Sequence, residues 1–207
     1  MKIKVCGLRD LLNIEELLKL KPDFIGFIFY PKSKRYVGAQ IPHDIQIIIP
    51  SSVQKVGVFV DEPFDTLVEK TSSNALDLVQ LHGKELPDYC EKLKKLNIRI
   101  IKAFGISAGF NFETVKDFEP YCDYYLFDTA ADIHGGTGIK FEWKKLDQYT
   151  GNKPFFLSGG IQSGDAGEIR SLVHNQLHAI DINSRFELEP GLKDIPKLKS
   201  FIKQIRE

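Results

Sequence analysis

Two residues in this chain are placed to move protons, and each directly closes a short apolar run. Cys6 ends Ile3-Lys4-Val5-Cys6 just before Gly7, and Asp128 ends Tyr124-Tyr125-Leu126-Phe127-Asp128 just before Thr129. If the first run is a strand, side-chain alternation puts Lys4 and Cys6 on one side and Ile3 and Val5 on the other. A thiol ordinarily titrates at about 8.5 and serves as a base only where a cation favours the thiolate, a role open to Lys4. A lone cysteine is also a common small buried hydrophobe. Asp128 reads either as a cap for the following turn or as a positioned proton donor.

Other residues suit binding. The run Phe24 to Phe29 leads straight into Tyr30-Pro31-Lys32-Ser33-Lys34-Arg35-Tyr36, a cluster of cations. In it Arg35 best fits a carboxylate, because the guanidinium fork matches two oxygens whereas lysine offers a point charge. A solvated basic loop is the plainer alternative. His82 shares a face with Gln80 in Val79-Gln80-Leu81-His82-Gly83, which suggests either ligand contact or a hydrogen-bonded structural histidine. The remaining histidines have no metal-ligand spacing, and Cys6, Cys90 and Cys122 are odd in number without a C-x-x-C pair; neither a metal site nor a disulfide framework is expected. Three glycines within Gly135-Gly136-Thr137-Gly138 suit close approach to a ligand or any mobile loop.

The elements that must position these groups alternate. Short β-rich runs recur at Ile3 to Val5, Phe24 to Phe29, Val56 to Val60, Leu78 to Leu81, Ile98 to Ala103, Tyr124 to Phe127, Phe155 to Leu157 and Ala179 to Ile182. Stretches of helical spacing lie between them, such as Leu192, Ile195, Leu198, Phe201 and Ile202. The least regular is the second, where β-branched Ile45 to Ile49 is closed by Pro50. Alternating strands and helices imply parallel pairing through right-handed crossovers. Eight units averaging about 25 residues favour closure, so the expected fold is α/β, one (β/α)8 barrel domain over residues 1–207.

Barrel enzymes keep their chemistry at the C-terminal ends of the strands, where Cys6, Arg35, His82 and Asp128 would fall. The loops after strands seven and eight are where such barrels hold phosphate on backbone amides. Ser158-Gly159-Gly160 and Asp181-Ile182-Asn183-Ser184 occupy those positions; a tight strand-to-helix turn is the alternative for the glycines.

Lysine plus arginine and aspartate plus glutamate both number 28, so no positive excess recruits nucleic acid or an acidic membrane. Charges inside Met1-Lys2-Ile3-Lys4 and the lack of a long apolar stretch predict a chain neither exported nor inserted, with reduced thiols in the cytoplasm. Monomer and homodimer are both compatible with the sequence.

Taken together, Lys4-Val5-Cys6-Gly7, Gly26 to Tyr36, Val56-Gly57-Val58-Phe59-Val60, Val79 to Gly83, Leu126-Phe127-Asp128-Thr129, Gly135 to Gly138, Leu157-Ser158-Gly159-Gly160 and Ile180 to Ser184 resemble phosphoribosylanthranilate isomerases nearly end to end. The resemblance implies a cofactor-free Amadori rearrangement of N-(5-phosphoribosyl)anthranilate to 1-(2-carboxyphenylamino)-1-deoxyribulose 5-phosphate in tryptophan biosynthesis. It makes Asp128 the general acid at the ring oxygen and Cys6 the general base at C2. Arg35 would hold the anthranilate carboxylate, backbone amides around Gly159, Gly160 and Ser184 the phosphate, and His82 and Asp181 would lie near the substrate. The loop from Gly135 to Gly138 would close over the site. This chain departs from the family's frequent glycine after Ser184, carrying Arg185 and Phe186. Indole-glycerol-phosphate synthases need a lysine and glutamate constellation, and ribulose-phosphate epimerases need metal-binding histidines with facing aspartates; neither pattern is present. A phosphate-binding barrel without catalysis would need neither Cys6 nor Asp128.

Overall fold

The computed structural model describes residues 1–130 and 141–207. Eight parallel strands close into a barrel in chain order: β1 (Lys2–Cys6), β2 (Phe24–Ile28), β3 (Gln54–Phe59), β4 (Leu78–Leu81), β5 (Ile100–Ile106), β6 (Tyr124–Thr129), β7 (Phe155–Leu157) and β8 (Leu177–Ile182). Closure comes from β1 pairing with β8, in a register that sets Lys4 opposite Asp181. A two-stranded antiparallel hairpin follows, β9 (Glu187–Glu189) with β10 (Leu192–Lys193).

The crossovers explain themselves locally. Helix α1 (Leu11–Leu18) starts where Asp10 accepts a hydrogen bond from the Asn13 amide at 2.8 Å, and it buries Ile14 and Leu17 against the barrel wall. The β-branched second segment forms only a six-residue helix, α2 (His43–Ile48), before Pro50. Helices α3 (Phe64–Ser73), α4 (Pro87–Lys95), α5 (Ala166–Ser171) and α6 (Ile195–Arg206) cover other faces.

The expected alternation gives way after β5 and β6. There the wall is covered by 3-10 turns at Phe112–Phe118 and Trp143–Gln148 instead of α-helices. A 3-10 turn rises about 2.0 Å per residue against about 1.5 Å for an α-helix, so a short aromatic segment spans the strand length. Phe112, Val115, Trp143 and Leu146 fill the space that a helix face would have occupied.

Two cores result. The larger lies between strands and helices; the smaller fills the barrel with Phe24, Val56, Leu78, Ile101, Ala103, Leu126, Phe156 and Ala179. Stepping two residues along β4, β6, β7 and β8 from the apolar interior brings Gln80, Asp128, Ser158 and Asp181 to its upper end, and the same step on β1 runs from the buried Lys4 to Cys6. Among the described residues no helix is long and apolar enough to cross a membrane. The glycine-rich stretch Gly135 to Gly138 lies outside the described residues.

Candidate active site

Cys6 is buried at the end of β1, and its position depends on the neighbouring strand. Gly26 on β2 pairs with it, and a Cβ built on Gly26 would stand 2.7 Å from the Cys6 Sγ. Beneath the thiol, the fully buried Lys4 donates from Nζ to Asp181 Oδ1 at 2.9 Å. Burial pushes the Cys6 thiol above its ordinary range; Lys4 pulls it back, Asp181 adds to the rise and Lys193 opposes it. Burial also raises Asp181, against the pull of Lys4.

Asp128 faces this pair from β6. Its Oδ1 accepts from the Thr129 amide at 2.7 Å. Burial pushes its carboxyl up to about 6, with the Thr129 amide, the Lys4 charge and the Ser158 hydroxyl pulling the other way. His82 lies beside it, Nε2 at 3.6 Å from Asp128 Oδ2, and its Nδ1 meets Gln80 Nε2 at 2.8 Å.

Gly159 and Gly160 follow β7 with φ of +92° and +67°. At Gly159 a Cβ would lie 2.4 Å from Thr129 Oγ1 and 2.8 Å from Asp128 Oδ1. This glycine is therefore needed for the close approach of the turn to the Asp128 carboxyl, whatever else its amide does. Ser184 opens a 3-10 turn, Ser184–Phe186, at the end of β8.

Arg35 reaches the same end of the barrel, but a carboxylate of the chain already occupies one edge of its fork. Its Nε lies 3.0 Å from both oxygens of Glu187, and its Nη2 lies 2.7 Å from Oε2. Lys193 Nζ bonds Glu187 Oε1 at 2.7 Å and Asn183 Oδ1 at 2.8 Å. Cys6, Arg35, His82, Asp128, Gly159, Gly160, Asp181 and Ser184 thus all lie at or just beyond the C-terminal ends of β1, β2, β4, β6, β7 and β8. Sequence reasoning missed Gly26, Asn183, Glu187 and Lys193. Gly26 and Asn183 lie inside motif stretches that suggested no role of their own for them; no local signal marked Glu187 or Lys193, because Glu187 is 152 residues from Arg35 and its own neighbourhood looks like a charged surface hairpin. Among the described residues no group of three His, Cys, Asp or Glu side chains could hold a metal ion.

Comparison with known proteins agrees along the whole chain. The family described as N-(5'phosphoribosyl)anthranilate (PRA) isomerase matches residues 3–204. A Parabacteroides distasonis protein named N-(5'-phosphoribosyl)anthranilate isomerase is 47% identical over 99% of this chain and 93% of its own length. The crystal structure of the phosphoribosyl anthranilate isomerase of Thermus thermophilus superposes with a TM-score of 0.88 at 25% identity, covering 100% of this chain and 98% of that one. Another phosphoribosyl anthranilate isomerase, solved with reduced 1-(o-carboxyphenylamino)-1-deoxyribulose 5-phosphate, superposes with a TM-score of 0.84 at 30% identity, with 100% and 98% covered. A match of this length and identity, on a closed barrel with a thiol and a carboxyl at its mouth, places the chain in the N-(5'-phosphoribosyl)anthranilate isomerase family.

Proposed function

We infer that this protein isomerises N-(5-phosphoribosyl)anthranilate to 1-(2-carboxyphenylamino)-1-deoxyribulose 5-phosphate, the tryptophan-pathway reaction of its family. The observation that carries the mechanism is the buried Cys6 thiol and the half-buried Asp128 carboxyl at the C-terminal ends of β1 and β6, both acted on by the cation Lys4.

The reaction opens with two proton movements. Protonated Asp128 gives its proton to the furanose ring oxygen as the C1–O bond breaks and the nitrogen lone pair forms a Schiff base. The cationic nitrogen acidifies C2, and the Cys6 thiolate removes that proton to leave an enolamine. Proton transfer to C1, with loss of the proton from the C2 hydroxyl, gives the ketone. C1 is reduced as C2 is oxidised, so electrons balance within the substrate. A carboxyl raised to about 6 retains some of its acid form near neutrality, as ring opening requires. Lys4 stabilises the thiolate, and Asp181 holds Lys4 in place. Arg35 takes the anthranilate carboxylate, while amides of the turns after β7 and β8, around Gly160 and Ser184, take the phosphate. Anchoring both ends orients the ring over the two groups. A thiol base works best in a reducing compartment, which supports a cytoplasmic setting for this reaction.

The test follows the fluorescence of freshly generated phosphoribosylanthranilate on adding the wild type, Cys6→Ser or Asp128→Asn, with folding checked by circular dichroism. The wild type should convert it to the aminoketose, and each folded variant should lose about 10²- to 10⁴-fold in kcat. A wild type that binds competitively with inorganic phosphate but turns nothing over would overturn the assignment.

A further inference from the structure

A guanidinium has five N–H donors arranged on two bidentate edges. In Arg35 the Nε and Nη2 edge is filled by Glu187 at 2.7 to 3.0 Å. Among the described residues nothing bonds Nη1, so the Nη1 and Nη2 edge keeps one donor from each nitrogen. The hairpin that supplies Glu187 is itself held. Glu187 and Lys193 face each other in register across β9 and β10, and the Gly191 amide adds a third donor to Glu187 Oε1 at 3.1 Å. Asn13 on α1 clamps the Lys193 backbone through both its amide and its carbonyl, at 2.7 and 2.9 Å. On the other side the Arg35 stem crosses Gly7, where a Cβ would lie 2.7 Å from Arg35 Cδ. The guanidinium is therefore fixed beside Cys6 from two directions.

Charge counts as much as geometry. Arg35 and Glu187 alone sum to zero and would offer an incoming carboxylate little net attraction. Lys193, fully buried and bonded to the same carboxylate, brings the cluster to a net charge of +1. One further carboxylate then neutralises it.

We propose that Glu187 and Lys193 are positioning residues for substrate selection: Glu187 orients Arg35 so that its end edge receives the aryl carboxylate, and Lys193 supplies the charge that makes a second carboxylate welcome. The identity of that carboxylate rests on the isomerase reading above. The two possible effects of removing the Glu187 charge oppose each other. A purely electrostatic role predicts tighter carboxylate binding in Glu187→Gln, because the cluster becomes more positive; an orienting role predicts weaker binding.

The experiment measures inhibition by reduced 1-(o-carboxyphenylamino)-1-deoxyribulose 5-phosphate, by the same compound lacking the carboxyl group, and by inorganic phosphate, alongside kcat and KM. Glu187→Gln should reduce the preference for the carboxylated compound by about tenfold and raise KM similarly, with kcat within about twofold and phosphate inhibition unchanged. Glu187→Asp keeps the charge but withdraws it by one methylene, so it should lose a smaller part of that preference; it provides the reading if Glu187→Gln does not fold. An unchanged or increased preference in the folded variants, or a parallel loss of kcat, phosphate binding and Tm, would overturn the proposal. A wild type with no turnover and no preference for the carboxylated compound would instead overturn the isomerase reading.

Discussion

At the scale of single residues, the two groups proposed to carry protons, Cys6 and Asp128, are both weak acids made weaker by burial, and this predicts an unusual pH profile. The fully protonated pair loses its first proton near pH 6, at Asp128, and its second only above the ordinary thiol range, at Cys6. The productive form, with the carboxyl protonated and the thiol ionised, carries the same number of protons as the dominant form between those limits. We therefore expect kcat/KM to rise through about pH 6 and remain level past pH 9. A descending limb below pH 8 would count against a buried thiol base.

The same carboxyl affects stability. Its folded-state value lies above the ordinary 3.8, so its contribution is complete at low pH and is lost as pH rises through about 6. Asp128→Asn should thus raise Tm by a few degrees at pH 8, corresponding to about 1 to 2 kcal/mol once water access to a side chain 28% exposed is allowed for, and by less at pH 5. Thermal melts at the two pH values test this; a Tm gain independent of pH would reject the link to ionisation.

At the scale of elements, a catalytic side chain is aimed by its strand and by what the adjacent strand leaves out. Gly26 on β2 leaves the space that the Cys6 Sγ fills, with only 2.7 Å available to a Cβ. Gly26→Ala should shift the thiol by about 1 Å and lower kcat by about 10²-fold, for a stability loss of about 1 to 3 kcal/mol. Steady-state kinetics and urea unfolding separate these effects, and a wild-type kcat would show that the thiol position is not decisive. The hairpin β9–β10 works in the same way at a distance, bringing Glu187 and Lys193 under Arg35 from the far end of the chain.

At the scale of the whole molecule, the ring makes every strand depend on two neighbours, and the C-terminal helix secures its seam. Helix α6 buries Leu198, Phe201, Ile202 and Ile205, and Arg206 bonds the Leu20 and Lys21 carbonyls at 3.1 and 2.6 Å, where α1 leads into β2. Burial of four such side chains stabilises by about 6 to 12 kcal/mol, comparable to the whole stability of a typical domain, about 5 to 15 kcal/mol. Truncation after Asp194 should therefore abolish cooperative thermal unfolding, while the full chain should melt in one transition if residues 1–207 form one domain. A truncated chain with a sharp transition would show that the barrel closes without α6.

The sequence by itself determined the architecture and put Cys6 and Asp128 at strand ends, because both are written locally; the proton-transfer roles proposed for them come from the family resemblance. Each strand is a short apolar run, each inward position follows from period-two alternation, and Cys6, Asp128, Ser158 and Asp181 stand where those runs end. Local pattern could not decide which segments cover β5 and β6, where aromatic packing favoured 3-10 turns over helices. Nor could it reveal the setting of Arg35. Only the tertiary structure decided that Lys4 is neutralised by Asp181, that Gly26 makes room for the thiol, and that Arg35 and Lys193 share the Glu187 carboxylate. These are contacts between distant parts of the chain, and the electrostatics of the site depends on distances that arise only once the ring has closed.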